Sequence, residues 1–461
     1  MKKCKFFCIV CILLLLTTAA FPANAAYNTL LEDLQPRSEI LLLQSLQDDT
    51  VIFERNTTER TPPASLTKIV TAILTLENCT DLEQLVAVPQ SVIDSLAGTN
   101  SSNAGLKAGE MISVYDLLCC MLIPSANEAA ATLADFISGG NTDEFVQNMN
   151  IFVERLGCAN THFMTPHGLD TEGQYTTAAD VAKIMKYALT FAYSDIFADI
   201  IGQTTYTLPA SNLHEKPRTI RTTNFLMNTG YADYYCKYVI GGKTGSTSQA
   251  GKCVAAVADH GGYAYLVIVM NAPSDDVDHD GYGENGAFTD SKLMLEWVYS
   301  HIRYEQVLSA SEVMAEARVR LSAKTDHVAL QPAEDLFAFV PSGVDENSVL
   351  VKPVDGSIPA SVDAPIEKGE KIGEAAVFYA DQEIARTDLV AAESVSRNLF
   401  LFIGSMIAEM FRHPVVRGVL FLLALLVGGY IVLVVRVNRA RRRKQKQKNS
   451  RSKVVHMQDF K

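Results

Sequence analysis

The chain of 461 residues lacks the cysteine pattern of a disulfide scaffold. Three of its nine cysteines (Cys4, Cys8, Cys11) fall in the first eleven residues, and the other six form no CxxC pair. Those six are Cys79, Cys119, Cys120, Cys158, Cys236 and Cys253. An even number permits disulfides in an oxidising compartment. Cys119 and Cys120, however, sit in an apolar segment and read as buried free thiols. Metal-ligand spacing is absent among the cysteines and histidines. No internal repeat is visible. A phosphate loop is absent too: Gly242-Lys243-Thr244 would need a glycine five residues earlier, where Lys237 stands.

Positive charge is scarce except at the two ends. Lys2, Lys3 and Lys5 precede an apolar run from Phe6 to Leu16, and Ala23-Asn24-Ala25 supplies small residues for cleavage. Residues 1–25 therefore read as a signal peptide. Near the other end, Gly418 to Val435 is uncharged and is followed by Arg436, Arg439 and Arg441 to Lys444. A span over 414–435 nearly crosses a bilayer core, with Arg417 snorkelling. Its basic tail, 436–461, holds eleven Lys or Arg against one Asp, and is expected in the cytoplasm. Taking this +10 and the leader's +3 from the overall −12 leaves −25 on the exported part. So acidic a body excludes nucleic acid as a partner class. Residues 396–413 read as an amphipathic segment beside the membrane.

Between these signals, 26–305 alternates helical and strand-like stretches. Ser65–Leu76, Val114–Ser138, Thr142–Leu156 and Ala178–Ala192 carry helical periodicity, and Lys292–Tyr304 reads as a closing helix. Cys253–Val257 and Ala264–Met270 read as strands. From 306 to 395 the texture becomes short runs (Ala317–Leu321, Leu336–Val340, Ala375–Tyr379) broken by Pro, Gly and Asp, as in a small β domain.

Three short patterns carry chemistry. In Ser65-Leu66-Thr67-Lys68, residues three apart share a helix face, so Lys68 can reach the Ser65 hydroxyl. A lysine serves as base to a serine when desolvation and a second cation lower its pKa. The same spacing recurs at Ser450–Lys453, so alone it means little. In Ser125-Ala126-Asn127, Ser125 can pass a proton and Asn127 can bond a substrate amide and Lys68. SxN also recurs, at Ser101 and Ser396, as ordinary turns. Lys243-Thr244-Gly245 occurs once: a cation, a hydroxyl for a carboxylate, and a glycine that lets substrate backbone pass.

SxxK, SxN and KTG in this order resemble the penicillin-binding proteins and serine β-lactamases. The segments PASLTKIVTAIL, TPHGLD and YTTAAD resemble the low-molecular-weight serine D-alanyl-D-alanine carboxypeptidases in particular. The resemblance implies an α/β (α+β) transpeptidase fold, then a small all-β domain and a C-terminal transmembrane helix. It implies catalysis by Ser65, Lys68 and Ser125, and substrate binding by Asn127, Lys243, Thr244, Gly245 and Ser246. The N–H groups of Ser65 and Ser246 would form the oxyanion hole, and His167 and Asp170 would lie nearby. Substrates would be peptidoglycan stem peptides ending in D-Ala-D-Ala, with β-lactams as inhibitors and no cofactor. A D,D-endopeptidase or a non-catalytic wall-binding scaffold of the same fold stays open.

Two positions depart from the family. Thr223 stands where many relatives have arginine, and Asn271-Ala272-Pro273-Ser274 stands where another arginine usually follows a strand. After it comes an acidic insert in which Asp276, Asp278, Asp280 and Glu284 partly copy the oxygen spacing of calcium loops. Ala287 replaces the bidentate glutamate such a loop needs, so a solvated acidic loop is the alternative.

Overall fold

The computed structural model describes residues 34–275, 283–342, 349–379 and 382–456. They divide into two compact units. The first runs to Val307 and takes in Phe337–Val351 and Val377–Ala385; the second is Leu308–Leu336, Lys352–Ala376 and Arg386 onward.

Five antiparallel strands form the sheet of the first unit: β1 (Ile40–Ser45), β2 (Val51–Arg55), β3 (Val239–Thr247), β4 (Gly251–His260) and β5 (Tyr263–Ala272). Their order is β2-β1-β5-β4-β3, which leaves β3 at an edge. Side chains alternate across a sheet, and here both faces are covered. Leu42, Ala255, Val257, Leu266 and Ile268 enter a core with the helices on one side. Leu41, Val254, Ala256, Val267 and Val269 pack with Phe288, Leu295 and Val298 on the other. Burial on both faces explains why β4 and β5 read as continuous apolar runs without polar alternation.

The helices used below are α1 (Lys68–Asn78), α2 (Val114–Leu122), α3 (Asn127–Ile137), α4 (Thr142–Arg155), α5 (Ala178–Ala188) and α6 (Gly286–His301). Short polar side chains start several of them by accepting an orphan N–H. Ser113 caps α2, Asn141 caps α4, Thr177 caps α5 and Asn285 caps α6. Three expected helices are corrected. Val114–Ser138 is two helices broken at 123–126, and Ala178–Ala192 stops at Ala188. The closing helix starts at Gly286, six residues before the expected Lys292, because the Asn285 side chain supplies the cap. It ends at His301, where an extended strand takes over.

In the second unit, β6 (Ala315–Arg320) pairs antiparallel with β7 (His327–Pro332) and parallel with β8 (Val362–Asp363). The part of β9 (Gln382–Ala391) from Arg386 onward belongs to this unit and joins β7 antiparallel, Leu330 opposite Ala391. Ala317, Val319, Val328, Leu330 and Leu389 fill the core between them. Two helices follow. In α7 (Leu399–Arg412), capped by Asn398, the apolar side chains of Phe400, Ile403, Met406 and Met410 are exposed. α8 (Pro414–His456) contains an exposed stretch long and apolar enough to cross a membrane, the one such helix among the described residues.

Candidate active site

Ser65 sits in a single 3-10 turn, Ala64–Thr67, that runs straight into α1. In a 3-10 turn residues i and i+3 eclipse, so Lys68 stands directly over Ser65. Its Nζ lies 2.8 Å from the Ser65 Oγ. Ala64 is held at φ +47°, a left-handed conformation unusual for alanine. Two neighbours hold that backbone. The Thr67 hydroxyl donates to the Ala64 carbonyl at 2.8 Å, and Gly168 presses on the same oxygen. A Cβ at Gly168 would lie 1.8 Å from it.

The break between α2 and α3 carries the second pattern. Ala126 N–H donates to the Cys120 carbonyl at 2.9 Å, which forces Ser125 to φ +65°. Ser125 thereby faces β3, where the Lys243 Nζ donates to its Oγ at 2.8 Å. Asn127 opens α3; its Oδ1 accepts from Lys68 at 2.6 Å.

On β3, Lys243 also donates to the Thr244 carbonyl at 2.9 Å, and the Thr244 hydroxyl pairs with that of Thr223 at 2.6 Å. Gly245 was expected to make room for substrate. The close approach found there is to the chain itself: an added Cβ would stand 3.0 Å from the Ala64 Cβ and 3.2 Å from the Ser65 nitrogen. Gly245 thus lets the edge strand lie against the Ser65 turn. Ser246 is exposed on the same strand, opposite Lys252.

The loop with His167 and Asp170 reaches the site by unexpected atoms. The His167 backbone carbonyl accepts from Lys68 at 2.7 Å. Burial, and then the Lys68 charge, push the His167 imidazole down to about 3, so the ring stays neutral. Asp170 accepts from the Thr247 hydroxyl at 2.6 Å and pins the turn that leaves β3.

Both lysines are fully buried. Lys68 lies well below the ordinary lysine range through desolvation and the nearby Lys243 cation, with Glu128 opposing. Desolvation brings Lys243 down to about 7. As an ammonium, Lys68 spends its three protons on Ser65, Asn127 and His167. Loss of one proton leaves a lone pair toward Ser65, whose hydroxyl then becomes the donor. That is the arrangement of a serine and its base.

All six cysteines of the described chain are free and buried, as expected of Cys119 and Cys120. Asp276, Asp278 and Asp280 lie outside the described residues, and Glu284 is engaged by Arg37 at 3.2 Å. Among the described residues no His, Cys, Asp and Glu group is arranged to hold a metal. Sequence reasoning missed Thr223 as a partner of Thr244, and missed the buried Glu128. A charge inside the apolar run 121–135 was the available signal for the second.

Residues 28–274 match the family model of the D-alanyl-D-alanine carboxypeptidases, and 303–397 match that of the penicillin-binding protein 5 C-terminal domain. A D-alanyl-D-alanine carboxypeptidase of Bacillus subtilis is 27% identical over 357 residues, 76% of this chain and 84% of that protein. One from Haemophilus influenzae is 28% identical over 404 residues, 82% of this chain and 92% of its own. The crystal structure of penicillin binding protein 5 from Haemophilus influenzae superposes with a TM-score of 0.59 at 26% identity, covering 79% of this chain and 98% of that one.

Proposed function

The chain belongs to the D-alanyl-D-alanine carboxypeptidase family and is a serine carboxypeptidase; from that premise we propose that Ser65 is its nucleophile and Lys68 the base. The observation that carries the assignment is the Lys68 amine, buried and bonded at once to Ser65 and Asn127. Neutral Lys68 takes the Ser65 proton as Oγ attacks the penultimate D-Ala carbonyl of a peptidoglycan stem peptide. The oxyanion is held by the N–H groups of Ser65 and Ser246, each worth about 3 kcal/mol in comparable sites. Ser125, oriented by Lys243, hands its proton to the departing D-Ala nitrogen as the peptide C–N bond breaks, and is reprotonated with the proton that Lys68 took from Ser65, which leaves Lys68 neutral again. In deacylation the free Lys68 amine takes a proton from the water that attacks the ester carbonyl, and returns it to the Ser65 oxygen as the acyl–oxygen bond breaks. Edge strand β3 supports this docking, since one row of its backbone groups faces no neighbouring strand. Asn127 and Thr244 bind the substrate amide and terminal carboxylate. No step requires a cofactor.

A fluorescent penicillin tests the assignment. The protein is expected to form a covalent adduct that Ser65→Ala abolishes while circular dichroism is unchanged. Full labelling of a folded Ser65→Ala protein would refute it.

The membrane arrangement is part of the same proposal. α8 crosses the bilayer with the basic tail after Arg436 in the cytoplasm, α7 lies in the outer interface, and the catalytic unit is extracytoplasmic. Protease added to protoplasts is expected to digest the catalytic unit and spare a tag after Lys461. The reverse pattern would invert the topology.

A further inference from the structure

Glu128 has no part in the reaction just described, yet it is buried in the first turn of α3, next to Asn127. Its Oε1 accepts from the Ala104 N–H at 2.7 Å, and the Leu106 N–H points at the same atom from 3.5 Å. Its Oε2 is buried with no hydrogen-bond partner. Leaving a carboxylate oxygen in that state costs free energy unless something else favours the charge. Burial raises its carboxyl above the ordinary value, while the backbone N–H groups and the Lys68 charge act the other way and favour the carboxylate.

The loop that Glu128 holds also meets the catalytic asparagine, because the Asn127 N–H donates to the Ser102 carbonyl at 2.9 Å. On its other side the loop borders a cavity of about 330 Å³ lined by Ile93, Thr99, Ser102, Asn103 and Glu128. Leu106 anchors one end of the loop in the core, and at the other end Asn127 and Glu128 hold it by hydrogen bonds.

We propose that Glu128 is a positioning residue for acylation, clamping the 102–106 loop to Asn127 and supplying the negative charge that balances the Lys68–Lys243 pair. This rests on the reading of Lys68 as the base. The titratable groups facing Lys68 are Lys243 from β3, Glu128 from α3 and, within the 165–170 loop, the neutral ring of His167. Lys243 and burial favour the free amine, whereas Glu128 favours the ammonium. The carboxylate thereby favours the Lys68 ammonium that bonds Ser65 and Asn127, and moves the pH at which the base is released upward.

Two substitutions separate clamp from charge in the full-length protein. Glu128→Gln keeps an acceptor for Ala104 and removes the charge. Glu128→Asp keeps the charge and withdraws it from the loop. The second-order acylation rate by a chromogenic penicillin is measured from pH 4 to 9, with melting temperature recorded for each protein. In Glu128→Gln the acid limb of the profile is expected to move to lower pH. In Glu128→Asp the limb is expected to stay while the plateau falls about tenfold. An acid limb in folded Glu128→Gln that coincides with wild type overturns the inference. So does a Gln variant that fails to fold while Glu128→Asp acylates with the wild-type limb and plateau. Absence of acylation in the wild type would instead sink the Ser65–Lys68 reading itself.

Discussion

Gly168→Ala is the sharpest test of how Ser65, the proposed nucleophile, is held. Gly168 has φ +85°, where an L-residue costs about 1–2 kcal/mol. The new methyl would lie 1.8 Å from the Ala64 carbonyl oxygen, 2.6 Å from its carbon and 2.7 Å from the Thr67 hydroxyl. Two of these contacts are backbone, so the Ala64 peptide must move, and overpacking of this kind costs about 1–3 kcal/mol more. The total is about 2–5 kcal/mol. At about 2–4 °C per kcal/mol for a domain of this size class, the melting temperature falls by about 4–20 °C. Because Ala64 precedes Ser65, a shift of about 1 Å there is expected to slow acylation about a hundredfold. Gly157→Ala is the control: φ is +77° and no heavy atom lies within 4 Å of the added methyl. It pays the conformational cost without the clash, so acylation is unchanged and stability falls by only about 1–2 kcal/mol. Differential scanning calorimetry and stopped-flow acylation of both proteins read the two effects. Wild-type acylation by Gly168→Ala would refute the claim that this contact positions Ser65.

Lys243→Met removes the cation that, with burial, holds Lys68 down, so the acid limb of acylation is expected to move to higher pH, opposite in sign to Glu128→Gln; an unmoved limb would dissociate the two lysines. Thr223→Val strips Thr244 of its hydroxyl partner and is expected to raise the KM for a D-Ala-D-Ala peptide several-fold, with Thr223→Ser restoring it. Stability is expected to fall in acid through Glu110. Burial raises its carboxyl, but bonds from Arg218, the Lys107 N–H and Ser211 prevail and hold it below the ordinary value of 4.5. A group depressed on folding stabilises above its unfolded pKa, and that contribution is lost as pH drops through the folded one. Glu110→Gln should therefore flatten this part of the stability–pH curve and cost about 3–5 kcal/mol at pH 7, measured by urea unfolding.

The sequence by itself determined what rests on short-range geometry. Ser65 and Lys68 meet because one helical turn joins them. The N-caps Ser113, Asn141 and Thr177 start their helices through bonds three residues long. The short apolar runs of β4 and β5 mark strands buried on both faces, and the charge at either end of the chain separates the two membrane signals from the acidic body. Tertiary structure alone decided the rest. Ser125 and Lys243 are 118 residues apart, and the left-handed turn that aims one at the other breaks a segment whose apolar periodicity runs on as one helix. Periodicity reports which face is buried, and burial continues across that break, so Pro124 is its one mark in the sequence. Gly168 looks like an ordinary turn glycine, and Gly245 like a gap left for substrate, until the Ala64–Ser65 backbone is laid against both. His167 offered an imidazole in sequence and contributes a carbonyl in the fold. Backbone groups are the same in every residue, so their use is invisible until the chain has brought them to the site.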